Sequence, residues 1–313
     1  MKIYKLCLGI SVLLVLNLSC IYAQDYMNVL NLRYYYLPGT ELKSNDKKVS
    51  PKELRIETAL PYKLKNGDVF GIKPLYKTFT ILGNDSTKDL HLHSLRLPLF
   101  AIIKYKNPKW SMYFEISPKI NSDFENITWN HCQIGATLLM FYEKKKDFFW
   151  QFGVYYNQET FGPYPMPLLG LDWKIDQKNY FAVLLPAYMI YERKLSTKFY
   201  TGFEAELMGE TYRLGGSVYK NSYISEFGEN RFSFIIEPRL FIDYYIAKHL
   251  VIYVKPGMQL LQKYEQYDEN DNKLSHSDYV QGQLKDCFYV EIGIALRFRY
   301  DEEVPITSGK SDN

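Results

Sequence analysis

Apolar and polar side chains alternate along much of this chain, most clearly near its carboxyl end. There the even-numbered residues from Phe288 to Tyr300 are apolar or aromatic, whereas the odd-numbered residues from Cys287 to Arg299 include Glu291 and two arginines. A period of two residues is typical of a β-strand whose two faces lie in different environments. No segment after residue 24 has a convincing helical period, so we predict an all-β fold.

The first 23 residues have the pattern of a secretory signal peptide. Two lysines introduce the apolar stretch Leu6–Leu16, which is shorter than the roughly 20 residues that a membrane-spanning helix needs. The small residue Ala23 marks the expected cleavage point, which would leave Gln24 as the new amino terminus. A lipoprotein signal ending at Cys20 is the alternative, although Asn17 stands where an aliphatic residue is expected. We therefore expect export through a cleaved amino-terminal signal.

Composition and charge exclude several classes of protein. Without the signal the chain keeps 36 basic and 35 acidic residues, which gives no electrostatic footprint for nucleic acid. A length of 313 residues and a hydrophobic content of 47% exclude a disulfide-stapled mini-protein and a disordered chain. Two cysteines remain, Cys132 and Cys287. They could pair after export or act as small apolar residues, and the sequence leaves both alternatives open.

The alternation divides the mature chain into roughly fourteen segments, many of about 10–15 residues, a length that suits tilted membrane strands. The segments start near Tyr26, Lys52, Val69, Leu92, Lys109, Cys132, Phe148, Pro165, Tyr180, Lys198, Thr211, Arg231, His249 and Asp286. Long polar connections alternate with short ones. The long ones are 38–51, 83–91, 121–131, 220–230 and 265–285. The short ones are 63–68, 106–108, 143–147, 176–179 and 247–248. Such a difference between the two rims is typical of an outer-membrane barrel.

The predicted architecture is a single transmembrane antiparallel β-barrel over residues 24–300, followed by a polar tail over 301–313. Its short turns would face the periplasm and its long loops the exterior. Twelve strands is the alternative, because the turn at 208–210 is weak, and the run 180–191 fits badly because it is apolar on both faces. Prolines inside the segments predict bulges or strand ends. These prolines are Pro74, Pro98, Pro186, Pro238 and Pro256.

Two sets of side chains follow from this topology. Outward aromatic residues near the short-turn rim are expected at the lipid–water boundary. They are Tyr105, Trp110, Tyr142, Trp150, Trp173, Tyr244 and Tyr300. Charges are expected to point inward, because an Arg or Lys facing lipid costs about 2–4 kcal/mol near the midplane. The lumen-facing candidates are Arg33, Arg96, Glu115, Asp172, Glu204, Glu206, Glu237, Arg239, Lys255, Glu291 and Arg297. This set fits either a polar pathway or a salt-bridge network that braces a closed lumen, and its near-equal signs argue against strong ion selectivity.

Two stretches carry a family resemblance. The segment Phe161–Trp173, which reads FGPYPMPLLGLDW, and the following Phe181–Pro186 resemble the uncharacterised outer-membrane β-barrel proteins of Bacteroidetes-type Gram-negative bacteria. That resemblance implies the location and the fold, but no activity. The last strand, Glu291–Phe298, is similar to the carboxyl-terminal signal that barrel-assembly machinery recognises, although here a tail follows it. The resemblance thus implies outer-membrane lipid and that machinery as partners.

Candidates for catalysis are weak. His91 and His93 beside Ser94 have no carboxylate at ligand spacing, and the run 275–278 contains adjacent triad residue types that nothing orients. We predict no metal site, no cofactor and no catalytic residue. A membrane-embedded lipid hydrolase using Ser94 or Ser277 is kept as the least favoured hypothesis.

The function that the sequence favours is passive passage or binding of small solutes through a polar, charge-balanced lumen. A ring of fourteen strands is too wide for its inward side chains alone to fill. The alternative is a closed structural or docking barrel that acts through its extracellular loops. A soluble secreted β-protein is the competing fold. The sequence does not indicate whether a loop folds inward and plugs the lumen.

Overall fold

The computed structural model describes residues 26–37, 39–44, 48–82, 88–219, 221–227, 235–277 and 279–299, and confirms the predicted closed barrel of fourteen antiparallel strands. The strands, labelled β1 to β14 in chain order, are Tyr26–Tyr36, Lys52–Thr58 continued by Leu60–Lys63, Val69–Ile72 continued by Leu75–Ile81, Leu90–Arg96 continued by Leu99–Lys104, Trp110–Ser122, Cys132–Lys145, Phe148–Glu159, Gly162–Lys174, Asn179–Leu185, Tyr188–Lys194, Phe199–Met208, Ile235–Tyr245, Leu250–Gln259 and Cys287–Arg299. The predicted signal peptide, Tyr300 and the carboxyl-terminal tail lie outside the described residues.

Pairing of the first strand with the last closes the barrel. β1 and β14 run antiparallel from Tyr26 opposite Arg299 to Tyr36 opposite Val290, with one bulge near Val29. Every other neighbouring pair of strands is also antiparallel. No helix in the described part of the chain is long and apolar enough to cross a bilayer.

The two faces of the wall differ as the alternation predicts. In β14 the outward side chains Phe288 and Ile292 are 71% and 52% exposed, whereas the inward Glu291 and Arg297 are buried. Large apolar side chains are exposed in the same way on the other strands. A soluble protein rarely exposes an apolar surface of this extent, and a hydrocarbon surrounding accounts for it. The protein is therefore a membrane-spanning barrel.

The strand count matches the prediction, but two assignments behind it are wrong. The predicted single strand over 180–191 is a hairpin, because Pro186 and Ala187 make a two-residue turn between β9 and β10. The predicted barrel strand near Thr211 is absent from the wall, since β11 pairs directly with β12. The two differences cancel. The turn at 208–210 that the sequence left in doubt is indeed no hairpin of the barrel.

The prolines at 74 and 98 interrupt strands, as predicted. The amide of Thr58 donates to the carbonyl of Pro74, and the amide of Lys73 donates to the carbonyl of Pro98, each at 2.9 Å. β2, β3 and β4 are consequently broken at neighbouring positions, and the ladder continues on either side of the breaks. Pro238 and Pro256, in contrast, lie within continuous strands.

The two rims differ in the length of their connections. Short turns join the strands at 64–68, 105–109, 146–147, 175–178, 195–198 and 246–249. The opposite rim carries the long connections, together with two tight turns at 160–161 and 186–187. Both described ends of the chain, Tyr26 and Arg299, lie at the short-turn rim.

Candidate binding site in the barrel lumen

One half of the lumen, formed by β1–β3 and β11–β14, holds a dense network of charges. Arg239 of β12 lies at its centre, with its guanidinium 2.8 Å from Glu206 and 3.2 Å from Glu237, and it also pairs with Glu204. Lys255 of β13 contacts Glu204 at 2.6 Å. These ion pairs link β11, β12 and β13 across the inner face of the wall.

Arg33 of β1 extends this network to the other side of the barrel seam. Its guanidinium contacts Glu57 of β2 at 3.0 Å and Glu291 of β14 at 3.4 Å. The space among the side chains of this network has a volume of about 20 Å³, which is room for little more than one water molecule. These charges therefore brace the lumen and leave no wide passage among the described side chains.

A second ionic cluster lies in the lumen near the short-turn rim. Arg297 pairs with Asp243, and Arg299 contacts Glu192 at 2.6 Å. The Arg299 guanidinium also lies 3.4 Å from the centre of the Tyr200 ring. Aromatic rings stabilise such cations where water is excluded, so paired charges and rings occupy the lumen beside β10–β12 and β14 at this end.

Three of the long connections fold into the opposite mouth and form what we call the loop plug. Its short strands are Thr40–Glu41, Lys48–Val49, Thr211–Arg213, Tyr223–Ser225, Lys263–Tyr267 and Gly282–Gln283. Their apolar side chains pack with inward residues of β3 and β4 in one buried cluster. Its members are Leu42, Val49, Phe79, Ile81, Leu90, Leu92, Tyr212, Leu214, Ile224, Tyr264, Tyr279, Val280 and Leu284. The loop plug thus has a hydrophobic core of its own.

A cavity of about 250 Å³ remains between the loop plug and strands β6–β9. Its lining residues are Thr137, Tyr155, Glu159, Tyr164, Met166, Leu168, Leu184, Pro186, Ala187, Leu207, Gly209 and Phe227. Most of these are apolar or aromatic, and the few polar groups include one carboxylate. Cavities with apolar walls and a few fixed polar groups are typical ligand sites. This cavity is the candidate binding site.

Glu159 supplies the carboxylate of the cavity and is itself well partnered. It is 3.5 Å from the ammonium group of Lys119 and accepts hydrogen bonds from the amide of Thr211 at 3.1 Å and the hydroxyl of Thr211 at 2.5 Å. Asn157 donates to it as well. The paired carboxylate of Glu159 anchors the short strand Thr211–Arg213 to the wall. It also gives the cavity one polar end.

The lumen-facing candidates lie on the inner face but in different clusters. Arg33, Glu204, Glu206, Glu237, Arg239, Lys255 and Glu291 belong to the network around Arg239. Elsewhere Arg96 pairs with Glu210, Glu115 lies 3.4 Å from Lys73, and Asp172 accepts from Tyr180 at 3.0 Å. The candidate Arg297 belongs to the short-turn cluster described above. None of the sequence candidates lines the cavity.

Several charged residues of the lumen are not among the candidates that the sequence predicts. Glu53 and Lys77 belong to the charged half of the lumen, 3.9 Å apart, and their parity within β2 and β3 was sufficient to place them there. Glu159 lies at the alternate positions of β7 that also carry Tyr155 and Asn157, so the alternation places it on the inner face. Glu210 lies in a connection, where parity predicts nothing.

The predicted girdle residues that the structure describes lie near the short-turn rim, and most of them contact another aromatic ring. The ring centroids of Trp110 and Tyr142 are 4.8 Å apart, and those of Trp173 and Phe148 are 5.8 Å apart. Tyr105 and Trp150 are 44% and 38% exposed. Tyr244 stacks on an exposed phenylalanine of β11 at 4.7 Å. These ring contacts join β5 to β6, β7 to β8 and β11 to β12 on the outer face.

The weak catalytic candidates do not assemble into a site. His93 contacts Tyr76 at 2.9 Å, whereas Ser94, the next residue of the strand, donates to the buried Asn121 at 2.6 Å on the other face. In the loop, Ser277 donates to Gln266 at 2.6 Å. Asp278 lies outside the described residues. A nucleophile needs an oriented base within hydrogen-bond reach. Ser94 is bonded to Asn121 and Arg96, and Ser277 to Gln266 and the amide of Tyr279, none of which is a base.

The described part of the chain contains neither a cluster of metal-binding side chains nor a disulfide bond. No group of three or more metal-binding side chains occurs there, and Cys132 and Cys287 are free thiols. The disulfide bond between these two cysteines, which the sequence left open, is therefore not present.

Comparison with known proteins adds a family and several barrels. A family model described as a domain of unknown function, DUF6268, matches residues 85–297. The NanC porin is 11% identical with a TM-score of 0.40, and the match covers 85% of this chain and 98% of the porin. The COG4313 outer membrane channel from Pseudomonas putida F1 is 9% identical with a TM-score of 0.45, over 90% of this chain and 97% of the channel. The TodX monoaromatic hydrocarbon channel is 10% identical with a TM-score of 0.45, over 86% of this chain and 89% of the channel. No curated protein matches the chain. The Bacteroidetes part of the resemblance stays a prediction.

Proposed function

The chain belongs to the DUF6268 family, and we propose that it is an outer-membrane β-barrel that binds a small, mainly apolar solute in its lumen. The main observation is the cavity of about 250 Å³ in the lumen, beside the ion-pair network around Arg239 and the buried core of the loop plug. An apolar cavity of about 150 Å³ holds benzene. The larger cavity here suits a molecule of about two rings or a short chain, with one polar group directed to the Glu159 end.

The proposed solute is mainly apolar, whereas the sequence favoured small solutes in a polar, charge-balanced lumen. Passage of polar solutes needs a water-filled path, and the network around Arg239 leaves about 20 Å³. Binding of an apolar solute needs no such path, because burial of its surface drives association. Onward release would require movement of the loop plug or of the short-turn cluster, and binding is the step that the geometry supports.

Placement in the outer membrane is part of the same proposal. The apolar outer surface requires a bilayer, and the expected signal peptide would export the chain past the inner membrane. In this orientation the short turns face the periplasm and the loop plug faces the exterior. Separation of inner and outer membranes on a density gradient tests the placement, and recovery of the full-length protein with inner-membrane markers would contradict it.

The binding test uses 1-naphthol, a fluorescent two-ring molecule with one hydroxyl group, and the purified protein in lipid nanodiscs. Met166→Trp fills the cavity from β8, whereas Met140→Trp places the same ring on the outer face of β6. We expect the wild type and Met140→Trp to bind 1-naphthol equally and Met166→Trp to bind at least about tenfold more weakly. Equal binding by all three proteins, or no binding by the wild type, would reject the proposal.

A further inference from the structure

Four side chains bring polar atoms to the wall of the cavity, and two of them are already engaged. The four are Thr137, Tyr155, Glu159 and Tyr164. One oxygen of the Glu159 carboxylate receives Lys119 and Asn157, and the other receives the amide and the hydroxyl of Thr211. A carboxylate has about four acceptor positions, so Glu159 has none left for a ligand. Tyr164 has partners of its own.

The hydroxyl groups of Thr137 and Tyr155 form a neighbouring pair on the inner face. The two residues lie directly opposite each other in the ladder between β6 and β7, where opposite Cβ atoms are about 4.5–5.5 Å apart. Neither hydroxyl has a hydrogen-bond partner among the described residues. Each carries one proton to donate and rotates to suit its acceptor. The cavity wall therefore holds two adjacent donors that the described part of the chain does not use.

The neighbours of this pair in the same row of the wall supply no good acceptor. Glu115 of β5 lies opposite Thr137 on its other side, but it accepts from a tyrosine of its own strand and lies 3.4 Å from the ammonium group of Lys73. Met166 of β8 lies on the far side of Tyr155, and its thioether is a weak acceptor. The acceptor for the two hydroxyl groups is therefore expected from a molecule in the cavity.

Charge limits which acceptor the cavity can take. Buried hydroxyl groups normally have a hydrogen-bond partner, because one without a partner has lost its bonds to water. A ligand carboxylate would bring a second negative charge to the wall that holds Glu159, and burial of a charge without its own partner is unfavourable. A ligand ammonium group would need a carboxylate with a free oxygen, and Glu159 has none. An uncharged oxygen meets neither difficulty.

We propose that Thr137 and Tyr155 donate hydrogen bonds to an uncharged acceptor oxygen of the ligand, so that the cavity selects small apolar molecules with a carbonyl group, such as aromatic ketones and esters. The inference rests on the proposed binding function and adds the class of ligand. The oxygen lies on the side of the cavity that β6 and β7 form, the side to which Glu159 belongs. The apolar body of the ligand packs against Leu168 and Leu184.

The test compares two ligands of nearly the same shape. The ketone 2-acetylnaphthalene has a carbonyl oxygen, and in 2-isopropylnaphthalene a methyl group replaces that oxygen. Each ligand displaces 1-naphthol from the protein, and the affinity is calculated with the 1-naphthol affinity of the same variant. All proteins are in nanodiscs of one lipid composition, so partitioning of a ligand into lipid cancels when variants are compared.

The variants remove one hydroxyl group each at nearly constant shape. Tyr155→Phe and Thr137→Val change the two proposed donors. Tyr156→Phe is the matched control, because its hydroxyl belongs to the next residue of β7 and donates to Gln158 at 2.8 Å. Circular dichroism confirms that each variant is folded, and the second donor variant decides the test if the first does not fold.

We expect Tyr155→Phe and Thr137→Val each to bind 2-acetylnaphthalene about threefold to tenfold more weakly than the wild type, with less than about a twofold change for 2-isopropylnaphthalene. The control should bind both ligands as the wild type does. Unchanged ketone binding in both donor variants would overturn the inference, and so would equal losses for the two ligands, since that pattern reports packing. Either result leaves the proposed function standing, whereas a wild type that binds none of the three molecules rejects that function itself.

Discussion

Arg299 of β14 donates two hydrogen bonds to Glu192 of β10, at 2.6 and 2.9 Å, across strands that are not neighbours in the wall. Both side chains are buried. A bidentate contact of this kind is among the stronger ion pairs. It ties β10 to β14 on the inner face at the short-turn end, where the described part of the chain also begins and ends.

Removing one member of this pair should destabilise the barrel strongly. Glu192→Gln leaves a buried guanidinium without its charge partner, and such changes cost about 3–5 kcal/mol. The exposed pair of Glu41 and Lys285, 2.8 Å apart, is a matched control, because Glu41→Gln should cost about 1 kcal/mol or less. Urea unfolding in phospholipid micelles measures both. Equal losses for the two variants would show that the short-turn cluster contributes no special stability.

Loss of Arg239 should open a leak for cations. This residue pairs with Glu204, Glu206 and Glu237, and its removal leaves their negative charges facing an enlarged space. We expect the wild type to give little ohmic conductance in planar bilayers and Arg239→Ala to conduct at least about threefold more, with cation selectivity. Leu240→Ala, an outward change one residue away, is the control. A large stable conductance in the wild type would contradict the filled lumen.

The core of the loop plug should be sensitive to truncation. Ile224 is fully buried within it, whereas Val218 of the same connection is 71% exposed. Ile224→Ala should cost about 2–5 kcal/mol of docking stability, and Val218→Ala should cost little. Hydrogen exchange of the amides in Tyr223–Ser225 reports the change. Unchanged protection in Ile224→Ala would mean that the connection is not held by packing.

Docking of the same connection should depend on pH through Glu226. Burial raises the pKa of Glu226 to about 7, and Glu53 adds to the rise, while nearby Lys77 opposes it. The docked carboxyl therefore binds its proton more tightly than an undocked one, so docking weakens as pH rises from about 5 to above 7. Protease cleavage after residue 220 should be faster at pH 8.5 than at pH 5.5, relative to an unfolded substrate. Glu226→Gln should abolish that dependence, and its persistence there would assign the effect to another group.

How far the sequence predicts this molecule depends on how local the determinant is. The position of Glu291 on the inner face and of Ile292 on the outer one follows from parity, because a strand between oil and a polar lumen must alternate. The hairpin at Pro186 was missed because both of its strands have apolar residues on either face, and a two-residue turn leaves no polar gap in the sequence. The segment at Thr211 alternates as well, but it pairs within the loop plug.

The binding site depends on relationships that no local pattern contains. The cavity exists because β9 and β10 are shorter than their neighbours and because the connection carrying Phe227 returns to the wall. Both features depend on which segments become neighbours in the folded barrel, and a local sequence pattern does not show this. The sequence did contain one signal, the alternate prolines at 163, 165 and 167, which appeared within the segment of family resemblance. Its meaning required knowledge of which edge of β8 has no partner strand among the described residues.

Soaking crystals of the protein with 4-bromo-1-naphthol tests the central claim most directly, since the anomalous signal of bromine locates the ligand without reference to any barrel model. We predict one bromine peak between Met166 and Phe227, behind the β9–β10 turn. A peak among the charged side chains around Arg239, with none in the cavity, would contradict it.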